Sequence, residues 1–302
     1  MTNKIIVATF GDGDASRDAV ALGVELARAE QAEFLLAAVW ASPLGAGDSL
    51  YEGVVRDEIE RELHVLRELV PDDVHVRTEV RGATSVVRGL HRLVAGNDHD
   101  VLVFSAADLN RHGHGNLALE AIHDAPCAVA VAPNGYARQQ RDLGPDVAVA
   151  WVDSAEADAA LEAGVRYARH TGGTLRLVQV LRFPYRFGDQ PWIDTAGAEH
   201  WLESARPEAE ASLQLAVDRV GARVPVVTEL RNGYCGRELA EASRGCAMIV
   251  TGSRGYGAVR RLVLGSTTAD LLREATVPVV TLPRAVAERE AAEHDAVSAS
   301  HA

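Results

Sequence analysis

The sequence predicts an α/β protein made of two tandem five-stranded parallel-sheet domains. Three observations carry that reading. Short apolar runs of strand length alternate with segments of helical period, as in a parallel sheet covered by helices on both faces. The series occurs twice along the chain, with short identities in preserved order. The length, 302 residues, suits two domains of roughly 150 residues each.

In the first half, Ile5–Phe10 is an apolar run of buried-strand length. A Gly/Asp turn follows, with Ser16 as the expected helix N-cap. Behind it Val20, Gly23, Val24 and Ala27 recur at i, i+3, i+4 and i+7, one face of a helix. Phe34–Trp40 is the second strand and Tyr51–Val70 a longer amphipathic helix. Val74–Val80 and Val101–Ser105 are the next strands, separated by a helix over Ser85–Ala95. Leu117–His123 is expected as the last helix and Cys127–Ala132 as the fifth strand. The second half repeats the strands as Val147–Val152, Leu175–Leu181, Val224–Leu230, Met248–Thr251 and Val279–Leu282.

Gly23-Val24 and Ala27-Arg28 recur as Gly164-Val165 and Ala168-Arg169, 141 positions on. Thr78-Glu79-Val80-Arg81 recurs as Thr228-Glu229-Leu230-Arg231 at an offset of 150, and Ala125-Pro126 as Val277-Pro278 at 152. A drifting offset with preserved order is what duplication followed by loop insertion and deletion leaves. The first domain is expected at 1–140 and the second at 144–284. Between them Asn134 to Pro145, polar and carrying Gly and Pro, reads as a linker. Residues 285–302 lack a sustained apolar stripe and are expected to be a disordered tail.

Composition removes several functions. Lys+Arg minus Asp+Glu is 30 − 43 = −13, which argues against nucleic acid and against an anionic membrane surface as partners. Lys4 is the only lysine, so a Walker A loop, a kinase strand lysine and an internal Schiff base are excluded. Cys127, Cys235 and Cys246 form no CxxC pair and are expected as buried or half-buried thiols in a reducing compartment. The N-terminal stretch has no signal-peptide pattern, and no window approaches the ~20 apolar residues of a membrane span. The expectation is a cytoplasmic protein.

The sharpest local feature runs from Thr251 to Thr268. Gly252 and Gly255 follow a strand directly and let a ligand approach the main chain. Gly265-Ser266 opens a helix, whose unpaired N–H groups and positive dipole end suit a phosphate. Ser266 and Thr267 add hydroxyls, and Arg254 and Arg260 add charge. This is phosphate binding assembled without lysine.

The spacing Gly252-x2-Gly255-x9-Gly265-Ser266 resembles the nucleotide-binding signature of the universal stress protein family. The run from Met248 to Pro283 is similar to that family's fourth strand, loop, helix and fifth strand, and both halves follow its strand–helix order. The resemblance implies an adenine-nucleotide α-hydrolase-like fold, with ATP, with or without magnesium, as ligand. Carried over residue by residue, it places phosphate contacts on Gly252, Ser253, Gly255, Gly265, Ser266 and Thr267, with Arg254 beside them. It places the adenine edge near Val180.

Two departures qualify it. Relatives that bind ATP end the first strand in an Asp that contacts the ribose. Here Val152 takes the aligned place and Asp153 comes one residue late, which in an extended segment turns the carboxylate to the other side. In the first half, Phe104-Ser105-Ala106-Ala107-Asp108 replaces Thr251-Gly252-Ser253-Arg254-Gly255. Only eight positions separate Ser105 from Gly113, against thirteen between Gly252 and Gly265. The first domain is therefore expected not to bind ATP in the family's manner.

Rival readings are weaker. Gly11-Asp12-Gly13-Asp14 lacks the third glycine of a dinucleotide fingerprint, and no acid ends the second strand. His112 and His114 near Asp108 and His123 lack a complete metal-ligand spacing. Phe183, Tyr185, Phe187, Trp192 and Trp201 form an aromatic insertion, read as packing of a long loop, with a nucleotide lid or partner surface as the alternative. Arg56–Arg67 reads as a solvated helix face, and no nucleophile triad is visible. The expectation is an ATP-binding stress-response regulator without catalytic residues, acting on an unidentified protein partner. Its halves would pack as an intrachain pseudo-dimer, with homodimerisation open. The alternatives are a nucleotide-free interaction module and a slow ATP-hydrolysing enzyme.

Overall fold

The computed structural model describes residues 3–42, 50–94, 100–110, 120, 125–182, 195–252 and 266–282. The first-half strands are β1 Lys4–Ala8, β2 Glu33–Ala41, β3 Val76–Ala83, β4 Val101–Ser105 and β5 Ala128–Ala132. Between them lie α1 Asp14–Glu30, α2 Leu50–Arg67, α3 Val86–Leu93 and a 3-10 turn, Ala106–Asn110. A short α4, Tyr136–Gln139, leads to β6 Val147–Ala150. Then come α5 Ala155–Thr171, β7 Leu175–Leu181, α6 Thr195–Val220, β8 Val226–Asn232 and α7 Cys235–Ala242. The chain closes with β9 Met248–Gly252, α8 Ser266–Glu274 and β10 Val279–Leu282.

The halves do not form separate sheets. All ten strands make one sheet in the order β3-β2-β1-β4-β5-β10-β9-β6-β7-β8. Every neighbouring pair is parallel except β5 and β10, which meet antiparallel with Val131 opposite Val279 and Val129 opposite Thr281. The reason is edge pairing: an unpaired strand edge is a liability, and the last strand of each half supplies what the other lacks. The two halves therefore run in opposite directions, so the carboxyl edge of one is the amino edge of the other.

Both faces of the central strands are buried, which is why these read as continuous apolar runs, whereas the outer strands β3 and β8 carry exposed polar residues. On one face Ile5, Val7, Phe34, Val149 and Leu177 pack under α1, α2, α5 and α6. On the other, Ile6, Leu35, Phe104, Ile249 and Val178 share a cluster with side chains of α3, α7 and α8. The repeated glycines have a packing cause. A Cβ on Gly23 would lie 2.4 Å from Val7 Cγ2, and one on Gly164 2.3 Å from Val149 Cγ2. Only glycine lets α1 and α5 approach their strands this closely. The repeated Thr-Glu-x-Arg segments place Arg81 on Glu79 and Arg231 on Glu229 and Glu238.

Three expectations need correction. The first helix begins at Asp14 with Gly13 as N-cap, so Ser16 is buried inside the first turn and caps nothing. Val152 lies beyond β6, which stops at Ala150. The stretch from Asn134 to Pro145 is not a simple linker. Its Gly135 and Ala137 N–H groups donate to the buried Asp18 carboxylate of α1, at 2.7 and 2.9 Å, which fixes α4 against α1. The expected helix at Leu117–His123 lies outside the described residues except at position 120, as does the tail 285–302.

Candidate functional site

In a parallel sheet the helices change sides where the strand order reverses, and a crevice opens there at the carboxyl ends. The second half reverses between β6 and β9. From β6 the chain moves to β7 and β8, then returns through α7 to β9 on the opposite flank. The pairing of Val149 with Val250 and of Ala150 with Val178 brings the ends of β7, β6 and β9 to one edge.

Five of the sequence-predicted residues are described at this edge. Gly252 ends β9 half-buried, next to a buried Thr251. Ser266 and Thr267 form the first turn of α8, Ser266 exposed and Thr267 half-buried. Val180 is half-buried near the end of β7. Asp153 lies in the turn after β6. Ser253, Arg254, Gly255 and Gly265 lie outside the described residues, as does Arg260.

The first turn of α8 is set by α7. A Cβ on Gly236 would fall 2.8 Å from the Thr267 carbonyl oxygen and 2.9 Å from the Leu271 nitrogen. The two helices thus meet backbone to backbone at their N-terminal ends.

Asp153 is held elsewhere. Its carboxylate is 3.7 Å from the Arg219 guanidinium of α6, which also pairs with Asp158. Arg219 lies over the Trp151 ring, 5.6 Å from its centroid. Trp151 is buried and donates its indole N–H to the Ser212 hydroxyl at 3.0 Å. Burial pushes the Asp158 carboxyl above its ordinary value, although Arg219 opposes this. Ser154 caps α5 by accepting the Ala157 N–H at 3.2 Å. Val152 is 39% exposed in this turn. Sequence reading missed Arg219 and Ser212, and no local signal marks them, because they are some sixty positions away.

At the corresponding edge of the first half, the strand end is occupied by side chains of its own turn. Ser105 ends β4 fully buried, and the 3-10 turn folds Asp108 back to 4% exposure. The Asp108 carboxylate accepts the Ser105 N–H at 3.3 Å, and the Ser105 hydroxyl accepts the Ala107 N–H at 3.3 Å. Gly113 and the histidines 112, 114 and 123 lie outside the described residues. Among the described residues no group of three His, Cys, Asp or Glu could hold a metal ion. Among them also, no helix is long and apolar enough to cross a membrane. Of the aromatic insertion only Trp201 is described, half-buried on α6.

Residues 146–283 match the sequence model of the Universal stress protein family. A universal stress protein of Mycolicibacterium smegmatis is 34% identical over 132 residues, covering 43% of this chain and 45% of that protein. One from Mycobacterium tuberculosis is 35% identical over 119 residues, 39% of this chain and 41% of that protein. The chain thus spans less than half the length of these curated relatives. The crystal structure of a universal stress protein from Archaeoglobus fulgidus is similar at TM-score 0.62 and 19% identity, over 94% of this chain and 99% of that one. That likeness of fold extends over both halves.

Proposed function

Residues 146–283 match the Universal stress protein family, and from that match we propose that the chain is an ATP-binding regulator of the stress response. The second half holds the nucleotide. One observation carries the reading: the first turn of α8, with Ser266 exposed and Thr267 half-buried, opens at the edge where Gly252 ends β9. Helix N–H groups, two hydroxyls and a half-buried glycine backbone make a donor set that fits a polyphosphate. The glycines at 252, 255 and 265 and the Arg254 charge support the same assignment. The phosphates would rest on Gly252, Ser253, Gly255, Gly265, Ser266 and Thr267, with adenine against the end of β7 near Val180.

The protein's part in this chemistry is to bind and orient. ATP shifts the arrangement of residues 253–265 only as far as its affinity differs between arrangements, and a protein partner reads the result. Turnover, where present, is slow. The cytoplasm is the proposed compartment.

The test starts with protein purified without added nucleotide, denatured, and assayed for what it releases. Calorimetric titration of nucleotide-free protein follows. About one ATP per chain is expected; two equivalent sites, or none, would overturn the reading.

The capture of Asp153 by Arg219 favours a second reading, a nucleotide-free interaction module of the same fold. With that carboxylate beside Arg219, the turn after β6 leaves Val152 39% exposed where relatives that bind ATP are expected to carry the Asp. Absence of both released nucleotide and ATP binding would select it.

A further inference from the structure

A cavity of about 1040 Å³ lies far from this edge, in a groove between the halves. α1 forms one wall and the C-terminal turn of α5 the other, with the segment from α4 to Pro145 as floor. Val20, Val24, Tyr136, Leu143, Tyr167 and Met248 give it an apolar lining.

Its charges do not balance. Each of the three acids that line it is already engaged. Asp14 pairs with Arg138 at 3.0 Å, Glu25 pairs with Arg28 at 3.1 Å, and Asp18 accepts the two backbone N–H groups of the joint. Two cations on the same walls have no carboxylate among the described residues. Arg17 donates only to the Asp12 carbonyl, at 3.3 Å, and Arg141 is an exposed guanidinium of the floor. In a chain of net charge −13, guanidiniums that face a cavity whose acids are all engaged elsewhere stand out. On the same lining the Gln140 side-chain amide oxygen, Oε1, is buried without a donor among the described residues.

We propose that this groove binds a small organic anion with an apolar body and an N–H or O–H donor, at a site separate from the nucleotide edge. Arg17 and Arg141 take the anionic group, Gln140 accepts the donor, and the apolar body lies along Val20, Val24 and Tyr167. Both halves contribute walls, so the ligand bridges them. Charge-assisted hydrogen bonds of this kind set the position of an anion more firmly than apolar contact does.

The probe is 8-anilinonaphthalene-1-sulfonate, which carries a sulfonate, an N–H and two aromatic systems. N-phenyl-1-naphthylamine, the same body without the sulfonate, is the comparator. Fluorescence titration of the full chain is expected to show one saturable sulfonate site. Arg17→Gln with Arg141→Gln should weaken the sulfonate about tenfold or more and leave the neutral comparator within about twofold. Ala21→Phe, which fills the groove and keeps its charges, should weaken both. Arg141→Gln alone, at an exposed position that leaves the fold intact, should weaken the sulfonate in the same direction by a smaller factor. Gly255→Val should leave it unchanged, which separates this site from the nucleotide edge. No saturable binding to the wild type, or sulfonate affinity unmoved by Arg141→Gln and by Ala21→Phe, would overturn the proposal.

Discussion

β4 and β9 occupy the same place in two copies of one layout, yet their carboxyl ends are finished differently. At β4 a 3-10 turn brings Asp108 back onto the Ser105 N–H, and a buried carboxylate occupies the strand end. At β9 the strand ends in a half-buried glycine, and the next described helix opens with an exposed serine. The first arrangement satisfies the Ser105 and Ala107 N–H groups from within its own turn. On the proposed reading the second leaves donors for a phosphate. On that reading one fold carries a closed edge and an open one, with loop length and two glycines making the difference.

The largest effect should come from breaking the open edge. Gly255→Val puts a branched side chain where the backbone must approach phosphate, and ATP affinity should fall at least about a hundredfold, beyond ~2.7 kcal/mol. Calorimetry with circular dichroism as a fold control checks it; unchanged affinity in a folded variant rejects the loop assignment. Next comes the closed edge. Asp108→Ala strands the Ser105 N–H in a buried turn and should cost about 1–3 kcal/mol in urea unfolding, without creating a second ATP site. A gain in ATP stoichiometry would show that Asp108 alone had kept nucleotide out.

Gly23→Ala and Gly164→Ala test where the halves are alike. Each pushes a methyl into a valine of its own strand and should cost roughly 1–3 kcal/mol, by similar amounts in the two halves. A large inequality would mean that one half relaxes where the other cannot. The smallest effect is chemical. Cys127 is buried, and burial with the nearby Asp100 charge pushes its thiol well up. Burial also raises Cys246, with Arg176 opposing it, whereas Cys235 is half-exposed at the start of α7. Alkylation of native protein should mark Cys235 first and Cys127 only after unfolding, as mass spectrometry would read.

The sequence made the elements legible where periodicity governs them. Buried strands such as Val101–Ser105 and Leu175–Leu181 have the bounds that apolar runs predict. Gly23 and Gly164 advertised a repeat and proved to be helix–strand contacts. What stayed hidden depends on partners far along the chain. Asn134 to Pro145 reads as a linker because its own residues are turn formers, but Asp18, 117 positions earlier, fixes it. Asp153 reads as a misplaced ribose ligand, and Arg219, remote in sequence, lies 3.7 Å from its carboxylate. The joining of two sheets into one was equally invisible, since no local pattern states which edge a final strand will choose. Of the proposed phosphate site, the strand end and helix start are described, while its central glycines rest on spacing alone.

The seam between β5 and β10 has a consequence for synthesis. β5 ends at residue 132 and its outer neighbour ends at 282, so 150 residues must be made before the pair can form. At ribosomal speeds of about 5–20 residues per second, that is roughly 7–30 s. For that interval a nascent first half carries Ala-Val-Ala-Val-Ala as an open edge, and each neighbouring chain on the same message offers an identical one. Two such edges can pair with one another, so the seam that unites the finished molecule is also the point where two unfinished ones would exchange strands.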